Sequence, residues 1–125
     1  MQVRIDFRFT ELNKYISAER GNKYAAAIIK EDETNVARLA FKDEKPAQGL
    51  PLELKFIWYC KDQRRNPDNI AFAKKFIIDG MVAAGFIQND GWKQIASLRD
   101  EFHVAENDFV VVEVSSMSRY KVDGE

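Results

Sequence analysis

Three charged residues of this chain could act together, because their spacing would place them on one stripe of a helix. At about 100° per residue, Asp68, Lys75 and Asp79 would bring two carboxylates and one ammonium to the same side. Asp90 supplies a further carboxylate after one short apolar segment. Carboxylate oxygens bind Mg²⁺ and an ammonium can neutralise a phosphoryl group, so this pattern is compatible with metal-dependent phosphodiester hydrolysis.

The same residues have a simpler interpretation as the surface charges of an ordinary helix. The helix dipole alone favours Asp68 in a first turn, and Lys75 with Asp79 is an i,i+4 pair worth about 0.2–0.5 kcal/mol. Composition alone favours this simpler interpretation. A hydrolytic triad has no positive support, because Ser97 has no histidine close in sequence and His103 is the single histidine.

The helix that would carry these charges is predicted from its start, its period and its end. Asn66 is a capping residue type, and Pro67 suits the first helical position. Apolar residues then recur at three- and four-residue spacing: Ile70, Ala73, Ile77, Met81 and Ala84. Gly85 ends the pattern, so one helix over residues 67–84 is expected to bury one face.

A set of motifs around this helix carries a resemblance to a known family. The motifs are Arg64-Arg65, Asn66-Pro67-Asp68-Asn69, Lys75, Asp79-Gly80-Met81, Ala84-Gly85, Asn89-Asp90 and Gln94-Ile95. In type and order they resemble the core of the RusA-like Holliday junction resolvases, bacterial and phage endonucleases that cut four-way DNA junctions. An N-terminal block containing Leu12-Asn13-Lys14-Tyr15 extends the similarity over most of the chain, although only the central block is specific.

The resemblance implies an endonuclease that depends on Mg²⁺, with Mn²⁺ able to substitute, and that acts on branched DNA as a homodimer. The catalytic residues expected on this basis are Asp68, Asp90, Lys75 and Asn66. The expected metal ligands are Asp68, Asp90 and Asp79. The expected DNA-binding residues are Lys61, Arg64, Arg65 and Asn69, because cations in a loop contact phosphate groups.

Two departures from the family pattern keep other functions open. Asn66 and Asn89 stand where the family has aspartates, so each change removes a negative charge. The first alternative is therefore a catalytically impaired relative that binds branched DNA or a partner protein without cutting. The second is a structural homodimer that uses its sheet only for assembly. The longer spacing between Asp68 and Lys75 resembles phage members, which predicts a phage or prophage origin.

Length, charge and cysteine content limit the class of protein. The 125 residues suit one domain, expected over residues 1–117 with a polar, flexible tail over 118–125. A net charge of −1 argues against non-specific coating of nucleic acid. Cys60 is the single cysteine, so no intramolecular disulfide can form, and no apolar run is long enough to span a membrane. A cytoplasmic protein without a signal peptide is expected.

The remaining patterns predict a two-layer α/β (α+β) domain in which helices pack on one face of a mixed four-stranded sheet. The predicted order is β-α(α)-β-α-β-β: a strand over 2–9, helix over 11–41 broken at Gly21-Asn22, a central strand over 52–59, the helix over 67–84, and strands over 93–103 and 109–114. The last two strands are expected to form a hairpin around the turn at 106–108.

The longer N-terminal helix is expected to bury Tyr24, Ile28, Val36 and Leu39, and its charged run over 30–33 is expected to be solvated. Thr10 is expected to cap the first helix.

Overall fold

The computed structural model describes residues 1–118, and its architecture confirms the predicted two-layer α+β class. The elements in chain order are β1 (Gln2–Ile5), α1 (Leu12–Gly21), α2 (Lys23–Phe41), β2 (Leu52–Cys60), α3 (Pro67–Ala71), α4 (Lys74–Ala83), β3 (Ile95–Val104) and β4 (Phe109–Ser116). Strand β1 is shorter than predicted and β4 is longer. All but the first residue of the predicted tail lies outside the described residues.

The four strands form one mixed sheet in the order β1-β4-β2-β3. Strand β2 pairs antiparallel with β4 on one side and parallel with β3 on the other, so it is central, as predicted. The predicted hairpin is wrong, because β2 lies between β3 and β4.

Burial explains why β2 separates the two strands that follow each other in sequence. Every second residue of β2 from Leu52 to Cys60 is buried and the others are half-buried, so this strand requires a neighbour on each edge. Strand β3 has no fully buried residue, so its side chains tolerate the edge of the sheet. The polar segment 105–108 can therefore cross the end of β2 instead of forming a tight turn.

The helix layer packs on the face formed by the buried residues of β2 and β4. Helices α2 and α4 lie so close together that a Cβ atom at Gly80 would come within 2.4 Å of the Ala37 Cβ atom. Gly80 is therefore a packing requirement. The core between helices and sheet includes Phe41, Phe56 and Met81, which are fully buried.

Helix α2 faces the core with a different stripe from the one that we predicted. Its buried residues are Ala26, Glu33, Ala37 and Phe41. The predicted core residues Tyr24, Ile28 and Leu39 are exposed, while Val36 packs partly against the core. At Ala37, the point of closest approach to Gly80 of α4, no larger side chain would fit.

Glu33 corrects two further predictions. The residue is 5% exposed, and its carboxylate accepts hydrogen bonds from the backbone N–H and the hydroxyl of Thr10. The charged run is therefore not entirely solvated, and Thr10 holds Glu33 instead of capping α1, whose N-cap residue is Glu11. Burial raises the pKa of Glu33 against the opposing effect of the Thr10 hydrogen bonds.

The single helix predicted over 67–84 is two helices, α3 and α4, separated at Phe72-Ala73. Pro67 occupies the first turn of α3, as predicted, but the Asn66 side chain makes no capping hydrogen bond. The buried stripe is confirmed for Ile70, Ala73, Ile77 and Met81, which pack in one core across the break, while Ala84 is half-buried against that core.

Candidate functional site

The loop over residues 61–66, here called the β2–α3 loop, carries most of the predicted DNA-binding residues. Lys61 and Arg64 are exposed. The backbone N–H of Arg64 donates to the Asp62 carboxylate at 3.0 Å, which closes a local turn. Two cations therefore project to solvent from a loop whose path is held by a side chain of the loop itself.

Asp108, in the segment between β3 and β4, holds this loop in place. Its carboxylate accepts the Lys61 backbone N–H at 3.1 Å and pairs with Arg8 at 3.0 Å and Arg65 at 3.5 Å. The side chain of Asp108 is 8% exposed and that of Arg65 is 11% exposed. Burial acts to raise the pKa of Asp108, but the hydrogen bonds and the two guanidinium charges outweigh it and hold the pKa below the usual value.

Arg65 is less accessible than its predicted role in DNA binding requires, because it belongs to the network around Asp108. Its guanidinium is nearly buried and also donates to the Cys60 Sγ atom at 3.6 Å. Burial raises the pKa of the Cys60 thiol, which favours the thiol over the reactive thiolate. Arg65 therefore braces the loop, whereas Lys61 and Arg64 remain accessible.

Asn66, Asp68 and Asn69 lie where the loop enters α3. Asn66 and Asp68 are exposed and Asn69 is half-buried. One carboxylate oxygen of Asp68 accepts the Asn69 backbone N–H at 3.0 Å, which leaves its other oxygen directed away from that bond. Asn66 lines an open pocket with Arg65, His103 and their neighbours at the end of β3.

A second group of predicted residues, here called the Lys75 cluster, consists of Lys75, Asp79 and Asp90. The Lys75 ammonium lies 3.2 Å from the Asp79 carboxylate and 3.9 Å from that of Asp90. Lys75 is 56% exposed and Asp90 is 41% exposed. Lys75 and Asp90 line a pocket together with residues 95–98 of β3. The structure thus brings three of the predicted residues together, with two carboxylates beside one ammonium.

The two groups lie beside different halves of β3. The pocket of Asn66 includes residues 102–104 of this strand, whereas the pocket of Lys75 and Asp90 includes residues 95–98. Asp68 belongs to α3 and Lys75 to α4, with the break at Phe72-Ala73 between them. Of the predicted metal ligands, Asp79 and Asp90 therefore lie beside Lys75, whereas Asp68 lies on the preceding helix.

These donors fit Mg²⁺ only if water and substrate phosphate complete its coordination. Among residues 1–118, no three Asp, Glu, His or Cys side chains are grouped so that they could hold a metal ion. Asp79 and Asp90 offer hard oxygen atoms, but Lys75 lies between them. Mg²⁺ is often held by one or two carboxylates and completed by water and substrate phosphate, and this donor set fits that kind of binding and not a closed protein cage.

Sequence reasoning missed the two charged residues that organise the region. The sequence predicted that Asp108 is part of a turn. Its contacts to Arg8 and Arg65 depend on β4 lying beside β2. Asp100 accepts the Trp58 indole N–H at 2.8 Å and pairs with Lys74 at 2.5 Å, which ties β3 to α4. No local pattern could have predicted either contact, because each joins residues that are distant in sequence.

Comparisons with known proteins leave the function to be argued from the site itself. The chain matches no protein-family model, and no curated protein is significantly similar to it. Within the described part of the chain, no helix is long and apolar enough to cross a membrane.

Proposed function

We propose that this protein is a Mg²⁺-dependent endonuclease that hydrolyses phosphodiester bonds in four-way junctions or other branched DNA. The observation that carries the proposal is the position of the Lys75 ammonium, 3.2 Å from Asp79 and 3.9 Å from Asp90 on an accessible surface. A cation for the phosphoryl group and hard ligands for a metal ion are thereby available together. The resemblance of residues 64–95 to RusA-like resolvases supplies the substrate class.

Each residue of the Lys75 cluster has a distinct role in this proposal. Asp90 is the principal metal ligand of the cluster, because it is exposed and lies farther from Lys75 than Asp79 does. Asp79 holds the ammonium of Lys75 in place. When a phosphate group replaces Asp79 as the partner of Lys75, Asp79 completes the ligand set of the metal ion. When bound, the metal ion supplies an activated water and neutralises developing charge. Lys75 stabilises the transferred phosphate by charge alone, without moving a proton.

The β2–α3 loop provides the contact with the DNA backbone. Lys61 and Arg64 bind phosphate groups, and Asn69 helps at the start of α3. Arg65 is a positioning residue, because its guanidinium is engaged by Asp108. Asp68 and Asn66 complete the site at this end, where Asp68 presents a carboxylate and Asn66 an amide oxygen.

The setting of this activity is part of the same proposal. A junction has two strands to cut, so a homodimer with two sites could address them symmetrically. The protein would act in the cytoplasm of a bacterial host, encoded by a phage or prophage.

The deciding experiment is incubation of the protein with a synthetic four-way junction with and without Mg²⁺, followed by denaturing electrophoresis. We expect paired cuts near the branch point that require Mg²⁺ or Mn²⁺, and little cutting of a linear duplex of the same sequence. Asp90→Asn is the matched inactive control. Binding should weaken strongly with salt, because the contacts are to phosphate. Cutting that is equal with the linear duplex, or with Asp90→Asn, would contradict the proposal.

The lack of a three-residue metal group among residues 1–118 favours a second candidate function. In this version the protein is a catalytically impaired relative that binds branched DNA, or a partner protein, without cutting. The loss of cutting is then caused by Asn66, which stands where the family has an acidic metal ligand. Salt-sensitive junction binding with no cutting at any Mg²⁺ or Mn²⁺ concentration would support it over the enzyme.

A further inference from the structure

Trp92 is the most exposed large hydrophobic residue in the described part of the chain. It is 82% exposed, whereas Trp58, the other tryptophan, is 4% exposed and lies in the core. Proteins usually bury much of an indole ring, because covering its large apolar surface is favourable. A single exposed hydrophobic residue is nevertheless common on protein surfaces, so what distinguishes Trp92 is its surroundings.

A closed turn holds Trp92 at its tip. The backbone N–H of Gln94 donates to the Gly91 carbonyl at 3.1 Å. Trp92 and Lys93 are therefore the two central residues of the turn, and both are exposed. The Gln94 carbonyl accepts the Leu52 N–H at 2.8 Å, which joins the turn to the start of β2. The backbone that carries the indole is thus held in position without a ligand.

Trp92 also lines the open pocket that contains Lys75 and Asp90. The volume of this pocket is about 480 Å³. Pockets that bind small ligands typically measure about 300–1,000 Å³. The remaining lining residues are mostly apolar or small: Ile78, Gly91, Ile95, Ala96, Ser97 and Leu98. One pocket therefore combines an indole, an apolar surface and a charged group.

This lining matches the two chemical parts of a nucleotide. A nucleobase has a flat π-face that stacks on an aromatic side chain, whichever base it is. A phosphate group attracts an ammonium, and the mostly exposed Lys75 supplies one in the same pocket. The Asp90 carboxylate opposes the phosphate, so the stacked base is expected to supply most of the affinity.

The indole can stack only on a base whose face is accessible. Inside a duplex, both faces of a base are covered by its neighbours, and exposing one requires that the base leave the stack. At a branch point the stacking of the duplex arms is interrupted, so base faces become accessible there at lower cost. Trp92 can therefore make a contact with branched DNA that an intact linear duplex does not offer.

We propose that Trp92 and its pocket form a subsite for one unpaired nucleotide of a DNA strand, with the base stacked on the indole. The assignment to a DNA strand, and not to a free nucleotide, rests on the proposed function. It also agrees with a pocket that is open to solvent, so that a strand can continue past it. Stacking would position the adjoining phosphodiester beside Lys75 and Asp90. Trp92 is then a specificity-determining residue and takes no part in the chemistry.

Tryptophan fluorescence tests the subsite in EDTA, so the outcome does not depend on metal binding or cutting. Trp58 is buried, so quenching by an added strand reports on Trp92. A single-stranded oligothymidylate should quench the emission. A strand of equal length with abasic sites should not, because it carries the phosphates without the bases. Thymidine monophosphate should quench only at much higher concentration, because it lacks the neighbouring phosphates that Lys93 and the β2–α3 loop would contact.

Two substitutions separate base stacking from the fluorescence signal. In anisotropy titrations, Trp92→Ala should weaken binding of the oligothymidylate at least about fivefold and leave binding of the abasic strand unchanged. Trp92→Phe keeps an aromatic face, so it should retain most of the affinity while the quenching disappears. Tyr24→Ala is the matched control, because Tyr24 is a 70% exposed aromatic residue on α2. Circular dichroism should show parent-like folding in all three variants, since each replaces an exposed side chain.

Several outcomes would overturn the proposal. Equal quenching by the abasic strand, or parent-like binding of oligothymidylate by Trp92→Ala, would exclude base stacking. Equal affinity for thymidine monophosphate would make the pocket a site for free nucleotides. An emission shift that depends on protein concentration without DNA, and is lost in Trp92→Phe, would place the indole in a protein interface.

The subsite and the nuclease activity can fail separately. Quenching by oligothymidylate in a protein that never cuts would support the subsite and reject the endonuclease. Cutting that requires Mg²⁺, with the same preference for a junction over a linear duplex in Trp92→Ala as in the parent, would reject the role of Trp92 in specificity and keep the endonuclease.

Discussion

The β2–α3 loop and the Lys75 cluster are both charged, but they differ in how their charges are neutralised. The loop is held by Asp108, which lies between β3 and β4, is nearly buried, and binds Arg8, Arg65 and the Lys61 backbone N–H. In the Lys75 cluster, the cation is mostly exposed and lies 3.2 Å from Asp79 and 3.9 Å from Asp90. A buried charge network fixes a geometry, whereas an exposed cluster is available to a ligand.

This difference assigns separate tasks to the two regions. Replacements at the centre of the loop network should change stability first. Replacements in the Lys75 cluster should change activity with little effect on folding, because exposed charges stabilise little. The following predictions test that division.

The largest expected effect is the loss of cutting in Asp68→Asn and in Asp90→Asn. Each should lower Mg²⁺-dependent cleavage of a four-way junction by at least about a hundredfold, which corresponds to about 2.7 kcal/mol of transition-state stabilisation. Both side chains are exposed, so the melting temperature should stay the same or rise slightly. Asp32→Asn, exposed on α2, is the matched control, and parent-like cutting by both test variants would rule out this site.

Asp108→Asn should be the most destabilising change in the loop network. It leaves the Arg65 guanidinium nearly buried without its carboxylate, so the free energy of unfolding should fall by about 2 kcal/mol in urea denaturation. Lys75→Gln should change it by less than about 0.5 kcal/mol. Equal effects of the two substitutions would remove the contrast between the regions.

The same variant has a predictable pH dependence. The pKa of Asp108 is lowered in the folded protein, so its stabilisation is present above the unfolded pKa of about 3.9 and is lost as the pH falls through the lower folded value. The stability difference between the parent and Asp108→Asn should therefore be constant near neutral pH and shrink below about pH 4.

Mixing Asp68→Asn with Asp90→Asn tests whether the two regions act together across the proposed homodimer. If each site combines the loop of one chain with the cluster of the other, a heterodimer keeps one intact site. Random exchange of subunits should then restore about a quarter of the parent rate. A mixture that stays as inactive as its components, under conditions where exchange is shown by tagged chains, would place both carboxylates in the same chain's site.

The smallest effect that we predict is a gain in activity from Asn66→Asp. An amide oxygen brings a dipole where Mg²⁺ prefers a full charge, so a carboxylate at this position should raise cutting about tenfold, or about 1.4 kcal/mol. Stability should hardly change, because the Asn66 side chain makes no capping hydrogen bond. Unchanged or lower cutting with an intact fold would show that Asn66 is no defect, and Asp62 would then be the next residue to replace.

The sequence by itself determined the elements whose signals are local. The break at Asn22, the start of α3 at Pro67 and the alternation of β2 follow from capping, proline geometry and period-two burial, which act over a few residues. The i,i+4 contact of Lys75 with Asp79 was predictable for the same reason. These signals were sufficient for the two-layer class and the central position of β2.

Only the tertiary structure decided which surfaces meet. The face of α2 that is buried depends on how closely α4 approaches at Gly80, and this favoured Ala37 over the larger Leu39. The insertion of β2 between β3 and β4 created the Asp108 network. The break at Phe72-Ala73 placed Asp68 on a different helix from Lys75 and Asp79. Such contacts join residues far apart in sequence, and their free energy depends on shapes that no local pattern contains.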